Sequence, residues 1–203
     1  MKDGKLMEMK PINSNSMEHW EDKITVKKGN VGERIIQEIF ETNGFIVYRP
    51  ITKGPHKTDY FLHSGFEKKI ICCDVKTKRR YFKTPKTGLN ESSFYHYKEI
   101  LEKHNIDVLL VFIDDFEERI YGNWLSEIKD KAKYGNNNET PLKVWHLKHF
   151  KMIRKLTEEE LNELKPLTTK KYKEYYLNTP LYFTENEIQE IGYLQFTKIN
   201  TGE

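Results

Sequence analysis

The run Asp107-Val108-Leu109-Leu110-Val111-Phe112-Ile113 constrains the fold of this chain more than any other segment, because six successive apolar residues leave it no polar face. A strand of that composition needs cover on both sides, which an internal strand of a sheet sandwiched by other elements obtains. Amphipathic helical patterns lie on either side of it in the sequence, so an α/β class is expected. Asn30 to Gly44 reads as a helix over 31–43, with Asn30 as N-cap and Gly44 as stop. Ile35, Ile36, Ile39 and Phe40 form its buried stripe, and Glu33 stands on the stripe's border. A second helix is expected over 91–104, with Phe94, Tyr97, Ile100 and Leu101 packed inward and Tyr95, His96 and Lys98 on its other face.

Between the helices lie strand patterns. Phe45-Ile46-Val47-Tyr48 is short and β-rich, and Lys57 to Leu62 forms another. Lys69 to Lys78 is apolar until its last third, where it turns charged, so this strand starts in a core and ends at a polar edge. Side chains two apart on a strand share a face, which sends Asp74 and Lys76 the same way and Val75 the other. The Ser64-Gly65 turn signal makes 57–62 and 69–78 an antiparallel hairpin, and pairing across it brings Asp59 opposite Asp74. Three acids, Glu33, Asp59 and Asp74, and one lysine, Lys76, are a minimum set for metal-assisted cleavage of a phosphodiester. Magnesium prefers carboxylate and water oxygens, and the diester anion needs positive charge beside it before water can attack.

On these residues the chain resembles the PD-(D/E)XK nuclease superfamily, which includes many restriction enzymes and Holliday junction resolvases; the match runs from Lys27 to Trp124. The resemblance implies a restriction-endonuclease-like αβββαβ core with a mixed central sheet. It implies that Asp59 and Asp74 bind Mg2+ or Mn2+, that Glu33 completes the metal site, and that Lys76 positions or helps activate the attacking water. Thr58 stands where the motif has proline. The implied activity is that of a metal-dependent DNA endonuclease, structure-specific or resolvase-like, of a phage or mobile element. Enzymes of this type that cut both strands work as two-fold dimers, so a homodimer is implied. On the second helix, the resemblance brings Tyr97 or Lys98 to the phosphate or the metal-bound water, against plain core packing. The alternative from another class is a nuclease fold that binds nucleic acid or protein without cutting it.

The 34 basic and 31 acidic residues of this 203-residue chain leave a net charge of only +3, so a nucleic-acid surface has to be local. Such a surface is expected just after Lys76, in a loop that mixes Lys78, Arg79, Arg80 and Lys83 with Tyr81 and Phe82, with Lys98 nearby on the helix. Basic groups there would hold backbone phosphates, and rings would stack on unpaired bases. Asp114-Asp115 is expected as a charged turn rather than a second metal site, Arg119 to Trp124 as an edge strand, 131–141 as a loop and Leu142 to Leu147 as a further strand. Cys72 and Cys73 are adjacent and face opposite sides, which suggests reduced thiols in a cytosolic setting. His146 and His149 are expected at the surface, not in a zinc site.

Residues 1–22 are a polar segment without the apolar core of a signal peptide or anchor, so no membrane partner and a cytoplasmic location are expected, the host cytoplasm if phage-encoded. Residues 23–150 are expected to hold the nuclease core and 151–203 a helical and irregular extension. There Thr157 opens a capped helix and a tail carries Tyr172, Tyr175, Tyr176, Tyr182 and Tyr193. The tail docks on the core, pairs with another subunit or contacts nucleic acid, the first being the simplest.

Overall fold

The computed structural model describes residues 23–51, 58–64, 69–137, 140–169, 174 and 176–196. In chain order these form α1 (Ile24–Thr42), β1 (Phe45–Tyr48), β2 (Tyr60–Ser64), β3 (Lys69–Thr77), β4 (Lys86–Asn90), α2 (Glu91–His104), β5 (Val108–Asp114), β6 (Arg119–Trp124), α3 (Leu125–Ile128), β7 (Lys133–Asn137), β8 (Thr140–His146), β9 (Lys151–Lys155), α4 (Glu158–Leu164) and α5 (Glu185–Ile191). A six-stranded sheet runs β1-β2-β3-β5-β6-β9, and a three-stranded sheet runs β4-β8-β7. Among the described strands β3 and β5 pair in parallel, and the other neighbours in both sheets pair antiparallel. The fold is therefore α/β with a mixed central sheet, as expected, and α2 lies in the crossover between the two parallel strands.

The apolar run is buried at all of its positions because its side chains serve two cores in alternation. Leu109, Val111 and Ile113 pack with Ile35, Ile36 and Phe40 of α1, while Val108, Leu110 and Phe112 pack with Phe94 and Tyr97 of α2 and with Trp145 and Phe150. Full burial of such a side chain contributes about 1.5–3 kcal/mol. β3 alternates in the same way, with Ile71, Cys73 and Val75 toward α1 and Cys72 toward α2. Both cysteines are free and buried, and burial pushes each thiol up, which suits packing rather than reactivity.

Helix α1 ends as expected, at Asn43 and a positive-φ Gly44, but it begins at Ile24 rather than after Asn30. Tertiary contacts override the capping signal: Lys28, on the first turns, donates to Asp115 at 2.6 Å and Thr168 at 2.7 Å. Further along, a Cβ on Gly32 would lie 1.8 Å from Thr77 Oγ1, so glycine is what lets α1 rest on the end of β3.

Three expectations are corrected. The expected loop 131–141 contains β7, which forms a hairpin with β8, and β4 arises inside the expected basic loop to complete the second sheet. β6 is not an edge, since β9 pairs with its outer side, and so a strand assigned to the extension belongs to the main sheet. Strand propensity reports a half-buried pleated surface and is silent about neighbours, so these pairings had no local signature. Described parts of the extension also dock: α4 opens with the expected capping box at Thr157 and Glu160, and Tyr193 bridges to Met152. Residues 1–22, the hairpin tip from Gly65, and Tyr172 and Tyr175 lie outside the described residues. Among the described residues no helix is long and apolar enough to cross a membrane.

Candidate active site

The β2–β3 register pairs Tyr60 with Cys73, which sets Asp59, just before β2, beside Asp74. Asp59 is fixed from both ends: its N–H donates to the Cys73 carbonyl at 3.1 Å, and its Oδ2 accepts the Val75 N–H at 2.6 Å. Asp74 is 2 % exposed. Its Oδ1 accepts from Lys76 Nζ at 2.5 Å and from the Tyr97 hydroxyl at 2.5 Å. Its Oδ2 is buried with no hydrogen-bond partner among the described residues. Asp74 and Lys76 thus share a face, as strand alternation requires, and Tyr97 reaches them from α2 across the crossover.

Burial pushes the Asp59 carboxyl up to about 7, the Asp74 charge adds to this, and Lys76 and the Val75 N–H only partly offset it. Burial alone would lower Lys76, but Asp74 and Asp59 outweigh it and hold the ammonium above its ordinary value. Tyr97 is driven well above the phenol range, first by burial and then by Asp74, so it stays a neutral donor. Two carboxylates and one ammonium leave the pocket short of positive charge, and the buried, unpartnered Asp74 oxygen needs a donor or a cation. Magnesium is commonly held by one or two carboxylates together with waters and substrate phosphate, so Asp59 and Asp74 fit such an ion.

Glu33 stands differently. It lies close enough to raise both Asp59 and Lys76, yet its carboxylate accepts from Arg49 at 2.5 Å. Its helix covers the α1 face of the sheet, whereas Asp74 and Lys76 project toward α2. No group of three or more histidine, cysteine, aspartate and glutamate side chains gathers for a metal among the described residues.

Most of the expected phosphate-binding basic residues are engaged inside the protein. Arg80 is buried, donates from Nε to Glu117 at 2.5 Å and from a terminal nitrogen to the Pro180 carbonyl at 2.7 Å. Arg79 pairs with Asp115 at 2.9 Å, and Lys78 is half-buried with its ammonium on the Gly88 carbonyl. Burial and the Lys76 charge lower Lys78 to about 8. The physical reason is the expected charged turn, which is buried instead: Asp114 accepts the N–H groups of Arg80, Phe116 and Glu117. Asp115 binds Arg79 and Lys28, which hold its carboxyl below the usual range although burial raises it. Tyr81 is half-buried and Lys83 exposed, while Lys98 on α2 lies 3.7 Å from Glu102.

Its chain path is similar to those of a resolvase and a nuclease. The first is a Holliday junction resolvase from the archaeal hyperthermophile Archaeoglobus fulgidus, 13% identical, covering 57% of this chain and 82% of its own, with a TM-score of 0.41. The second is a nuclease from a fusselovirus, 15% identical, covering 71% of this chain and 89% of its own, with a TM-score of 0.38. No family model and no curated protein matches the chain.

Beyond Lys86, which belongs to the expected basic loop, sequence reasoning missed a further set of basic residues. Lys86, Lys131, Lys133 and Lys148 line one cleft together with His146 and His149. They are scattered over sixty positions of sequence and converge only because β4, β7 and β8 form a sheet. No local signal marks this convergence, since β7 carries the glycine and asparagines of a loop and becomes a strand by pairing with β8.

Proposed function

We propose that this chain is a divalent-cation-dependent nuclease that hydrolyses phosphodiester bonds in DNA. The observation that carries it is the Asp74 carboxylate, one oxygen held by Lys76 and Tyr97 and the other buried without a partner, beside the desolvated Asp59. Asp59 and Asp74 would hold Mg2+ or Mn2+. Such an ion polarises a phosphoryl oxygen and lowers the pKa of bound water. Lys76, its side chain one third exposed and its ammonium anchored on Asp74, offsets charge that grows on the phosphate and orients the water. Tyr97, a hydroxyl that stays protonated, holds the Asp74 carboxylate in place. Glu33 would join the cation only on leaving Arg49. Paired cuts on two strands would require a two-fold dimer.

Purified Asp74→Ala should lose cleavage in magnesium by at least about 100-fold, as expected for a group that stabilises the transition state. Binding should be kept or tightened, because the substitution removes a negative charge. Duplex, nicked, single-stranded and four-way DNA, with RNA beside them, would define the substrate. Cleavage by Asp74→Ala at the wild-type rate would overturn the assignment. The incomplete acid trio favours one second reading, a nuclease fold that binds without cutting. Wild-type protein that binds DNA and leaves it intact in both magnesium and manganese would establish that reading instead.

A further inference from the structure

Where β3 ends beyond Lys76, a cleft of about 930 Å3 opens between the β3–β4 connection, the first turns of α1 and the β4-β8-β7 sheet. Among the described residues, eight lysines and arginines and two histidines line it, with no aspartate or glutamate, in a chain whose net charge is only +3. Four of these cations are engaged by the protein itself: Lys28 and Arg79 on Asp115, Arg80 on Glu117 and Lys78 on the Gly88 carbonyl. The other four, Lys86, Lys131, Lys133 and Lys148, make no ion pair among the described residues. Gathering like charges without counter-charges costs stability, and a polyanion relieves it. The histidines register the same field: burial and then Lys148 and Lys86 hold His146 below its ordinary value, and burial, Lys131 and Lys148 do so for His149.

Charge alone would suit any polyanion; the rings narrow the choice. Tyr134 on β7 pairs with Lys143 and so turns its ring to the α2 face of the sheet, over the Lys143 ammonium and against Tyr95; the rings that line the cleft with Phe82 are Tyr81 and Tyr176. Phe82, in the β3–β4 connection, is 36% exposed and meets Tyr176 edge-on at 5.8 Å. Exposed rings beside a basic groove are how proteins hold single strands, because unpaired bases offer their faces. In a duplex those faces are closed by neighbouring bases. The volume agrees, since groups of nucleotide size at ordinary packing density occupy roughly 300 Å3 each, leaving room for about three.

We propose that this cleft holds a single nucleic-acid strand, its phosphates on Lys86, Lys131, Lys133 and Lys148 and a base on Phe82, and leads it to Asp74 and Lys76. Only the last step rests on the nuclease reading. Lys78 links the two regions physically: it lines the cleft, and it stands two residues beyond Lys76, just past the end of β3.

Binding is measured on the full chain in EDTA by fluorescence anisotropy, with ten-nucleotide oligo(dT), oligo(U) and a blunt duplex of the same length. A single strand of either sugar should bind at least about ten-fold tighter than the duplex. Phe82→Ala should weaken single-strand binding roughly ten-fold, the size of one lost base stack, and leave duplex binding within about two-fold. Lys133→Ala with Lys148→Ala should flatten the log–log salt dependence for single strands by about 1.4, at ~0.7 for each phosphate contact. All three side chains are exposed, so the variants should melt like the wild type. Equal or tighter duplex binding, or variants that bind as the wild type does, would overturn the channel even if the wild type cuts DNA. Retained strand preference with no cleavage in magnesium would remove the nuclease reading and leave the channel standing.

Discussion

Asp59 carries a carboxyl that burial and the neighbouring Asp74 push up to about 7, so its charge is unfavourable in the folded chain. An unfolded aspartate titrates near 3.9. The folded chain therefore holds the extra proton between about 4 and 7; the penalty is absent in acid, grows across that window and is complete above it. Asp59→Asn removes the charge and keeps an oxygen for the Val75 N–H. It should raise Tm at pH 8 by a few degrees, at roughly 2–4 °C per kcal/mol for a chain of this size, and leave Tm at pH 4 unchanged, while cleavage is lost. Thermal melts at the two pH values check this, and a lower Tm at pH 8 would contradict it. At this scale the sequence was informative wherever the chemistry follows the strand. Alternation put Asp74 and Lys76 on one face and hairpin pairing brought Asp59 to them. Tyr97 was visible mainly as one member of an apolar stripe, because its bond to Asp74 spans a crossover that no local pattern records. Glu33 was legible as a border acid, but Arg49, its partner, is distant in sequence.

Among the elements, the contact of α1 with β3 is the one that shapes the edge of the site, and it depends on a single missing methyl group. A Cβ on Gly32 would meet Thr77 Oγ1 at 1.8 Å and Ile113 Cδ1 at 3.0 Å, so Gly32→Ala must lift the helix or displace the end of β3. Overpacking of this kind costs about 1–3 kcal/mol, more than alanine returns in helix propensity, about 1 kcal/mol. Gly32→Ala should lower the urea midpoint, and adding Thr77→Ala, which removes the clashing oxygen, should recover part of the loss. A double-mutant cycle measures the coupling, and strictly additive effects would place the strain elsewhere. The glycine could be read as a helix residue of low propensity, but its purpose was hidden until β3 lay against it. The same holds for the second sheet: β7 and β4 carry glycine, asparagine and lysine that suit loops, and they become strands because β8 pairs with both.

Across the whole molecule, one buried network joins the floor of the cleft to the C-terminal segment. Glu117 is fully buried, receives Arg80, and accepts the N–H groups of Tyr182 and Phe183 at 3.0 and 3.1 Å; Arg80 in turn reaches the Pro180 carbonyl, and the Tyr176 hydroxyl donates to the Arg80 carbonyl. The tail thus docks on the core through groups supplied by the turn after β5, which links the C-terminal segment to the strand that leads away from Asp74. Removing one partner of a buried ion pair costs about 3–5 kcal/mol because the other charge is stranded. The two sides are not equivalent. Glu117→Ala strands the Arg80 guanidinium and also two backbone donors, whereas Arg80→Met leaves Glu117 with its two N–H groups and keeps an apolar side chain of similar length. Glu117→Ala should therefore be the more destabilising in urea, and it should open residues 176–183 to limited proteolysis while Arg80→Met opens them less. Because Arg80 and Tyr176 both line the cleft, Glu117→Ala should also weaken oligo(dT) binding although Glu117 itself lies outside the lining. Urea midpoints that rank the variants in the opposite order, or a C-terminal segment as resistant in Glu117→Ala as in the wild type, would show that the tail is held by its apolar contacts and not by this network.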